Sequence, residues 1–113
     1  MAEFSVDVRA HDGTCELILA GQIDVAVADQ LRAEGIRGLA SVPTGPVIVD
    51  VGAVSFLDST GLGALIQLRT AALGAGRTFA LRNVGPRIEK LFKITGLDAV
   101  FGSTDDSTGS GSP

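Results

Sequence analysis

The segment Pro46-Val47-Ile48-Val49-Asp50-Val51 constrains this chain more than any other. It is an almost unbroken run of β-branched residues, and the breaker Pro43-Thr44-Gly45 precedes it. β-Branched side chains favour extended backbone. A run that is apolar on both alternations suits the middle of a sheet covered on both faces. Segments of helical spacing flank it. Upstream, Val25 to Leu39 places Ala28, Leu31, Gly35 and Leu39 on one face, with Asp24 positioned as the cap. Gly35 and Gly38 weaken this helix toward its end. Downstream, Gly52 to Leu57 reads as a short connection. Leu62, Leu65, Ile66 and Leu73 then form a second helical stripe, with Arg69 in the same row, and Gly74-Ala75-Gly76 ends it. A strand set between two helices is the mark of an α/β domain.

The remaining segments complete the pattern. Phe4, Val6 and Val8 alternate with Ser5, Asp7 and Arg9, which predicts a half-buried strand. The Asp12-Gly13 pair predicts a hairpin turn into a second strand, Cys15 to Ala20, closed by Gly21-Gln22-Ile23-Asp24. Thr78 to Val84 predicts a fourth strand. Pro86 opens a short helix with Ile88, Leu91, Phe92 and Thr95 inward and Gly96 as its stop. Val100-Phe101 predicts a short last strand. The order is β-β-α-β-α-β-α-β. This is a single α/β domain with a mixed sheet of four to five strands and about three to four helices. The domain spans residues 1–101. Residues 102–113, GSTDDSTGSGSP, carry no large apolar side chain and read as a flexible Gly/Ser-rich tail.

Composition removes several function classes. There is one histidine, one cysteine, no tryptophan and no tyrosine. His11 and Cys15 cannot assemble a zinc site, and one thiol cannot hold an iron–sulfur cluster or a disulfide framework. Few aromatics and a net charge of −4 oppose direct nucleic-acid binding. No long apolar run or charged leader occurs, so neither a membrane span nor a signal peptide is expected. The reading is a soluble cytoplasmic protein. His11 falls in a turn with no nucleophile elbow to serve, and Asp24, Asp50 and Asp58 read as caps and strand ends. No catalytic residue, metal or cofactor is expected, and the chain reads as no enzyme. The charge is unevenly spread. Residues 75–97 hold Arg77, Arg82, Arg87, Lys90 and Lys93 against Glu89 alone, whereas residues 98–113 hold Asp98, Asp105 and Asp106 and no base.

Two features remain at the start of the second helix. Gly61-Leu62-Gly63 lacks the Lys-Ser/Thr ending of a phosphate loop and the third glycine of a dinucleotide fingerprint. Two glycines in a first turn each cost about 1 kcal/mol relative to alanine. Something must therefore approach the backbone there, either a neighbouring strand or another protein. Ser59 reads as an N-cap or first-turn residue, or as a phosphorylation acceptor. A phosphate at a helix start meets free N–H groups and the positive dipole end. Modification would leave the fold intact and act on whatever docks there.

The segment Phe56-Leu57-Asp58-Ser59-Thr60-Gly61-Leu62-Gly63 resembles the signature of the STAS domain family and is most similar to that of bacterial anti-sigma factor antagonists. Gly21-Gln22-Ile23-Asp24 is similar to the family's Gly-Glu-Ile/Leu-Asp, with Gln22 in place of the usual glutamate. Leu91-Phe92-Lys93-Ile94-Thr95-Gly96-Leu97 is similar to a third family motif. The resemblance implies partner switching in a stress response: the antagonist binds an anti-sigma factor with serine kinase activity and frees the sigma factor. It implies Ser59 as the phosphate acceptor, with Thr60 second, and a serine phosphatase that resets the switch. Asp24, Asp58, Thr60, Gly61, Leu62 and Gly63 are the implied partner-binding residues. A monomer or weak dimer suffices. The alternatives are a scaffolding STAS domain of a signalling assembly and a small-ligand or nucleotide module using the Gly61/Gly63 helix start.

Overall fold

Asp12 and Gly13 both take positive φ, 52° and 77°, the geometry that lets a two-residue turn follow the twist of its strands. They join β1 (Ser5–His11) to β2 (Thr14–Ile23). The computed structural model describes residues 3–96. Beyond the hairpin come α1 (Val25–Ser41), β3 (Val47–Leu57), α2 (Ser59–Gly74), β4 (Phe79–Arg82) and α3 (Pro86–Thr95). The strands form one mixed sheet in the order β1-β2-β3-β4. β1 and β2 are antiparallel, while β2–β3 and β3–β4 are parallel. The alternation of elements is the one expected from the sequence. Val100-Phe101 and the segment 102–113 lie outside the described residues.

Both parallel crossovers step the same way across the sheet, so their right-handedness puts α1 and α2 on one face. Under them Cys15, Leu17, Leu19, Ile23, Val47, Val49 and Val51 are buried. On the other face Glu16, Ile18, Ile48 and Asp50 are only half-buried. Glu16 and Arg82 pair across that face at 2.5 Å. β3 is thus a central strand as expected, but the second face is not buried as deeply as the first.

Three strands differ in extent from the sequence reading. β2 continues through Gly21, Gln22 and Ile23, and β3 continues through Gly52 to Leu57, which is no connection. The ladder jumps from Ile18↔Asp50 to Ala20↔Ala53, and again from Gly21↔Val54 to Gln22↔Phe56. β3 therefore carries an extra residue at each point, a bulge that destroys the period-two pattern. The Gly52 amide, freed from regular pairing, donates to Asp50 Oδ1 at 2.8 Å. β4 ends at Arg82, two residues early, where Asn83 turns to φ 61°.

The helices pack closely because of small residues. A Cβ on Gly35 would lie 2.6 Å from Leu68, and one on Gly38 2.7 Å from Leu17. The glycines that weaken α1 locally bring it onto α2 and the sheet. In α2 the buried stripe is Leu62, Leu65, Leu68 and Ala72, whereas Leu73, in the last turn, is exposed. Cys15 is fully buried beneath α1, with Sγ 3.5 Å from the Gly38 carbonyl. Burial pushes its thiol pKa up, and the nearby Arg77 charge opposes this only in part. We expect a disulfide reagent at about pH 8 to leave Cys15 unmodified in the native protein and to label it fully once denaturant unfolds the chain. Fast native-state labelling would contradict this packing.

Candidate functional site

The C-terminal ends of β2 and β3 lie side by side, with Gln22 opposite Phe56 and Ile23 opposite Leu57. Each strand feeds a helix at that edge. The Asp58 amide donates to the Ile23 carbonyl at 3.2 Å, which ties the start of α2 to the end of β2. Gly21–Asp24 and Phe56–Ser59 are therefore one place, although more than thirty residues separate them along the chain.

Both helix starts are capped by aspartate. Asp24 has extended backbone, and its side chain accepts from Ala26 N at 3.0 Å. Asp58 does the same for α2, accepting from Gly61 N at 2.9 Å. Ser59 is consequently not the cap. It occupies the first helical position and is exposed, as is Thr60. The amides of a first helical turn lack intrahelical partners, and Asp58 occupies that of Gly61. The dipole end at Ser59 and Thr60 remains open to an anion.

The paired glycines separate cleanly. A Cβ on Gly61 would sit 2.7 Å from the Ile23 carbonyl oxygen and 2.6 Å from its Cγ2. A Cβ on Gly63 would meet nothing within 4 Å. The close approach expected at this motif is a neighbouring strand, and it concerns Gly61 alone. Leu62 is buried in the core at 2% exposure. Of the residues expected to meet a partner, Ser59 and Thr60 are exposed, Asp24, Asp58 and Gly63 half-buried, and Gly61 and Leu62 buried.

Sequence reasoning missed the apolar surroundings. Val25, in the first turn of α1, is 73% exposed, Phe56 is 50% exposed and Ile94 of α3 is 74% exposed. A groove of about 740 Å³ runs between β3 and α3, with Val54, Phe56, Leu91 and Ile94 among its walls and Arg87 and Lys90 beside them. Its floor is the stretch read as a connection, so no local pattern marked it. His11 lies apart, at the exposed end of β1 opposite Thr14 and not in the turn itself, 3.5 Å from Asp12. Among the described residues no group of His, Cys, Asp and Glu could hold a metal ion, and no helix is long and apolar enough to cross a membrane.

The fold that carries this site is shared with known proteins. The model of the STAS domain matches residues 5–110. The chain belongs to the STAS domain family. This STAS domain is similar to the anti-sigma-B factor antagonist of Bacillus subtilis (strain 168), with 32% identity over 105 residues, 93% of this chain and 94% of that protein. It is also similar to the crystal structure of an anti-sigma factor antagonist from Mycobacterium paratuberculosis. The TM-score is 0.77 at 29% identity, covering 94% of this chain and 92% of that one. A sulfate transporter family protein from Wolinella succinogenes shares the fold, with a TM-score of 0.69 at 21% identity over 83% of this STAS domain and 75% of that chain.

Proposed function

We propose that this STAS domain is a cytoplasmic anti-sigma factor antagonist, a non-enzymatic module that binds an anti-sigma factor and is released by phosphorylation of Ser59. The observation that carries this reading is the division of labour at the start of α2. Asp58 supplies the cap bond, so the exposed Ser59 hydroxyl has no structural duty and is free to be modified. The partner class rests on relatives above 25% identity that are named as antagonists, among them the two described above. The kinase activity of the anti-sigma factor transfers the γ-phosphoryl of ATP to Ser59 Oγ, releasing ADP and a proton. A serine phosphatase hydrolyses the ester and restores the binding form.

Free first-turn amides and the helix dipole offset the new charge, so the fold tolerates it. Docking does not. About two negative charges beside the Asp58 carboxylate would have to lose water under a partner. Ser59, Thr60, Asp24, Asp58 and Gly63 form the contact surface in this reading, while Gly61 and Leu62 hold α2 in place beneath it. A monomer or weak dimer suffices for this reading.

Incubated with its anti-sigma factor and Mg-ATP, the wild type is expected to gain one phosphate at Ser59 by mass spectrometry, and Ser59→Ala to gain none there. Phosphorylated protein and Ser59→Asp should bind the anti-sigma factor about tenfold more weakly or worse, with an unchanged far-ultraviolet circular dichroism spectrum. An active kinase that leaves both Ser59 and Thr60 unmodified sinks the switch. A collapsed spectrum refutes its fold-neutral character.

A further inference from the structure

We infer that the outer edge of β1 pairs antiparallel with β1 of a second copy of this chain, with Val8 on the two-fold axis, so that two four-stranded sheets join into one. β1 is the first strand in the order β1-β2-β3-β4 and, among the described residues, pairs with β2 alone. Its ladder runs without a shift from Ser5↔Ala20 to His11↔Thr14. The strand SVDVRAH has no proline, lysine or bulge, devices that commonly keep an edge from pairing. All its residues except Val6 are exposed.

Opposed residues in an antiparallel pair alternate between those that exchange backbone hydrogen bonds and those whose N–H and C=O groups point away. The Cys15 amide fixes the phase. It donates to the Pro46 carbonyl at 2.9 Å, on the β3 side, so Ala10↔Cys15 is a pair without hydrogen bonds. By alternation the same holds for Val8↔Leu17 and Val6↔Leu19. The backbone groups of Val6, Val8 and Ala10 therefore point outward together, along one free edge.

Charge selects the register. Outward groups must meet outward groups to form hydrogen bonds, which restricts a two-fold axis to single residues of β1. An axis at Asp7 would set Asp7 against itself, and an axis at Arg9 would set Arg9 against itself. Axes farther out leave most of β1 unpaired. With the axis at Val8 the whole strand pairs. Asp7 opposes Arg9 of the second copy, Arg9 opposes its Asp7, Val6 opposes its Ala10 and Ser5 opposes its His11. Val8 exchanges both backbone bonds with its own mate, and Val6 exchanges both with Ala10 of the second copy. The charged pairs fall at the positions without hydrogen bonds, where opposed Cα atoms come to about 4.5 Å. Opposite charges facing each other favour pairing there, and like charges oppose it. Asp7 and Arg9 already attract each other within one copy at 2.9 Å, so pairing merges two such ion pairs into one cluster. Val8, 37% exposed, is covered at the axis.

β2 separates β1 from β3, and Ser59 begins the helix that follows β3. The pairing uses none of the surface around Ser59 and is independent of the proposed function.

Sedimentation equilibrium of the full chain, carried up to about 1 mM, should show a reversible monomer–dimer equilibrium. Asp7→Arg makes both edge charges positive and Arg9→Asp makes both negative, so each variant alone should associate about tenfold more weakly or worse. An equimolar mixture of the two should recover the dimer, because each copy then meets the opposite charge at both positions. In the wild type, amide exchange at Val6, Val8 and Ala10 should slow as concentration rises, while that of Asp7 and Arg9, already bonded to β2, changes little. This last measurement needs no variant. Any of three results would overturn the inference: a wild type still monomeric at the highest concentration, a dimer that each charge variant forms alone as readily as the mixture does, or a dimer that leaves the three outward amides unprotected.

Discussion

Replacing Arg77 with alanine will lower the unfolding free energy by about 3 kcal/mol or more, measured by urea denaturation with an unchanged slope. Arg77 is 7% exposed and lies just past the turn that follows α2. Its own amide is held by the Ala72 carbonyl at 2.9 Å. Its guanidinium then donates to three backbone oxygens: Leu39 at 2.9 Å, Gly45 at 2.8 Å and Thr44 at 3.2 Å. The first belongs to the last turns of α1, where carbonyls lack partners and the dipole is negative. α1 has no basic residue in its own last turn. One buried cation from a distant segment therefore closes the C-terminal end of α1 and the loop into β3. Alanine would leave these acceptors short of donors, at about 1.5–3 kcal/mol per charged bond, not additively. Lysine keeps the charge but not the planar fork, so Arg77→Lys should fall between the two. A loss under about 1 kcal/mol for alanine would show that water replaces the guanidinium at little cost.

Gly61→Ala and Gly63→Ala should move stability in opposite directions. Alanine in a helix gains about 1 kcal/mol over glycine wherever there is room. At Gly63 there is room, so that variant should be neutral or more stable by up to about 1 kcal/mol. At Gly61 the new methyl would meet a backbone oxygen at 2.7 Å and Leu57 Cδ1 at 2.9 Å. The oxygen cannot retreat freely, because it is the Ile23 carbonyl that accepts the Asp58 amide. Overpacking of this kind costs about 1–3 kcal/mol, enough to exceed the propensity gain. We expect Gly61→Ala to lose up to about 2 kcal/mol net. The thermal midpoints of the two variants should fall on opposite sides of the wild type. Equal shifts would mean that α2 starts farther from β2 than the structure places it.

These two cases show where local reading stops. The cap at Asp24, the Asp-Gly turn and the left-handed stop at Gly96 were legible because each is decided by residues within a few positions. The position of Ser59 in the first turn of α2 was legible for the same reason. Its exemption from capping was not, because the adjacent Asp58 could serve equally well and only the geometry chooses between them. The second half of β3 was illegible because two bulges break its alternation. The groove and its exposed Phe56 vanished with it.

By itself, then, the sequence determined the succession of strands and helices and the three motif segments. Those depend on spacing, β-branching and turn chemistry over short windows. Only the tertiary structure decided which glycine must stay a glycine, which face of the sheet is deeply buried and what Arg77 does. Each of these depends on a contact between distant segments, such as Gly61 with Ile23, or Arg77 with Leu39 across 38 positions. The run Pro46 to Val51 shows the limit within one strand. Its β-branched residues required a central strand, but the direction of the two crossovers placed both helices over Val47, Val49 and Val51 and left Ile48 and Asp50 half-buried.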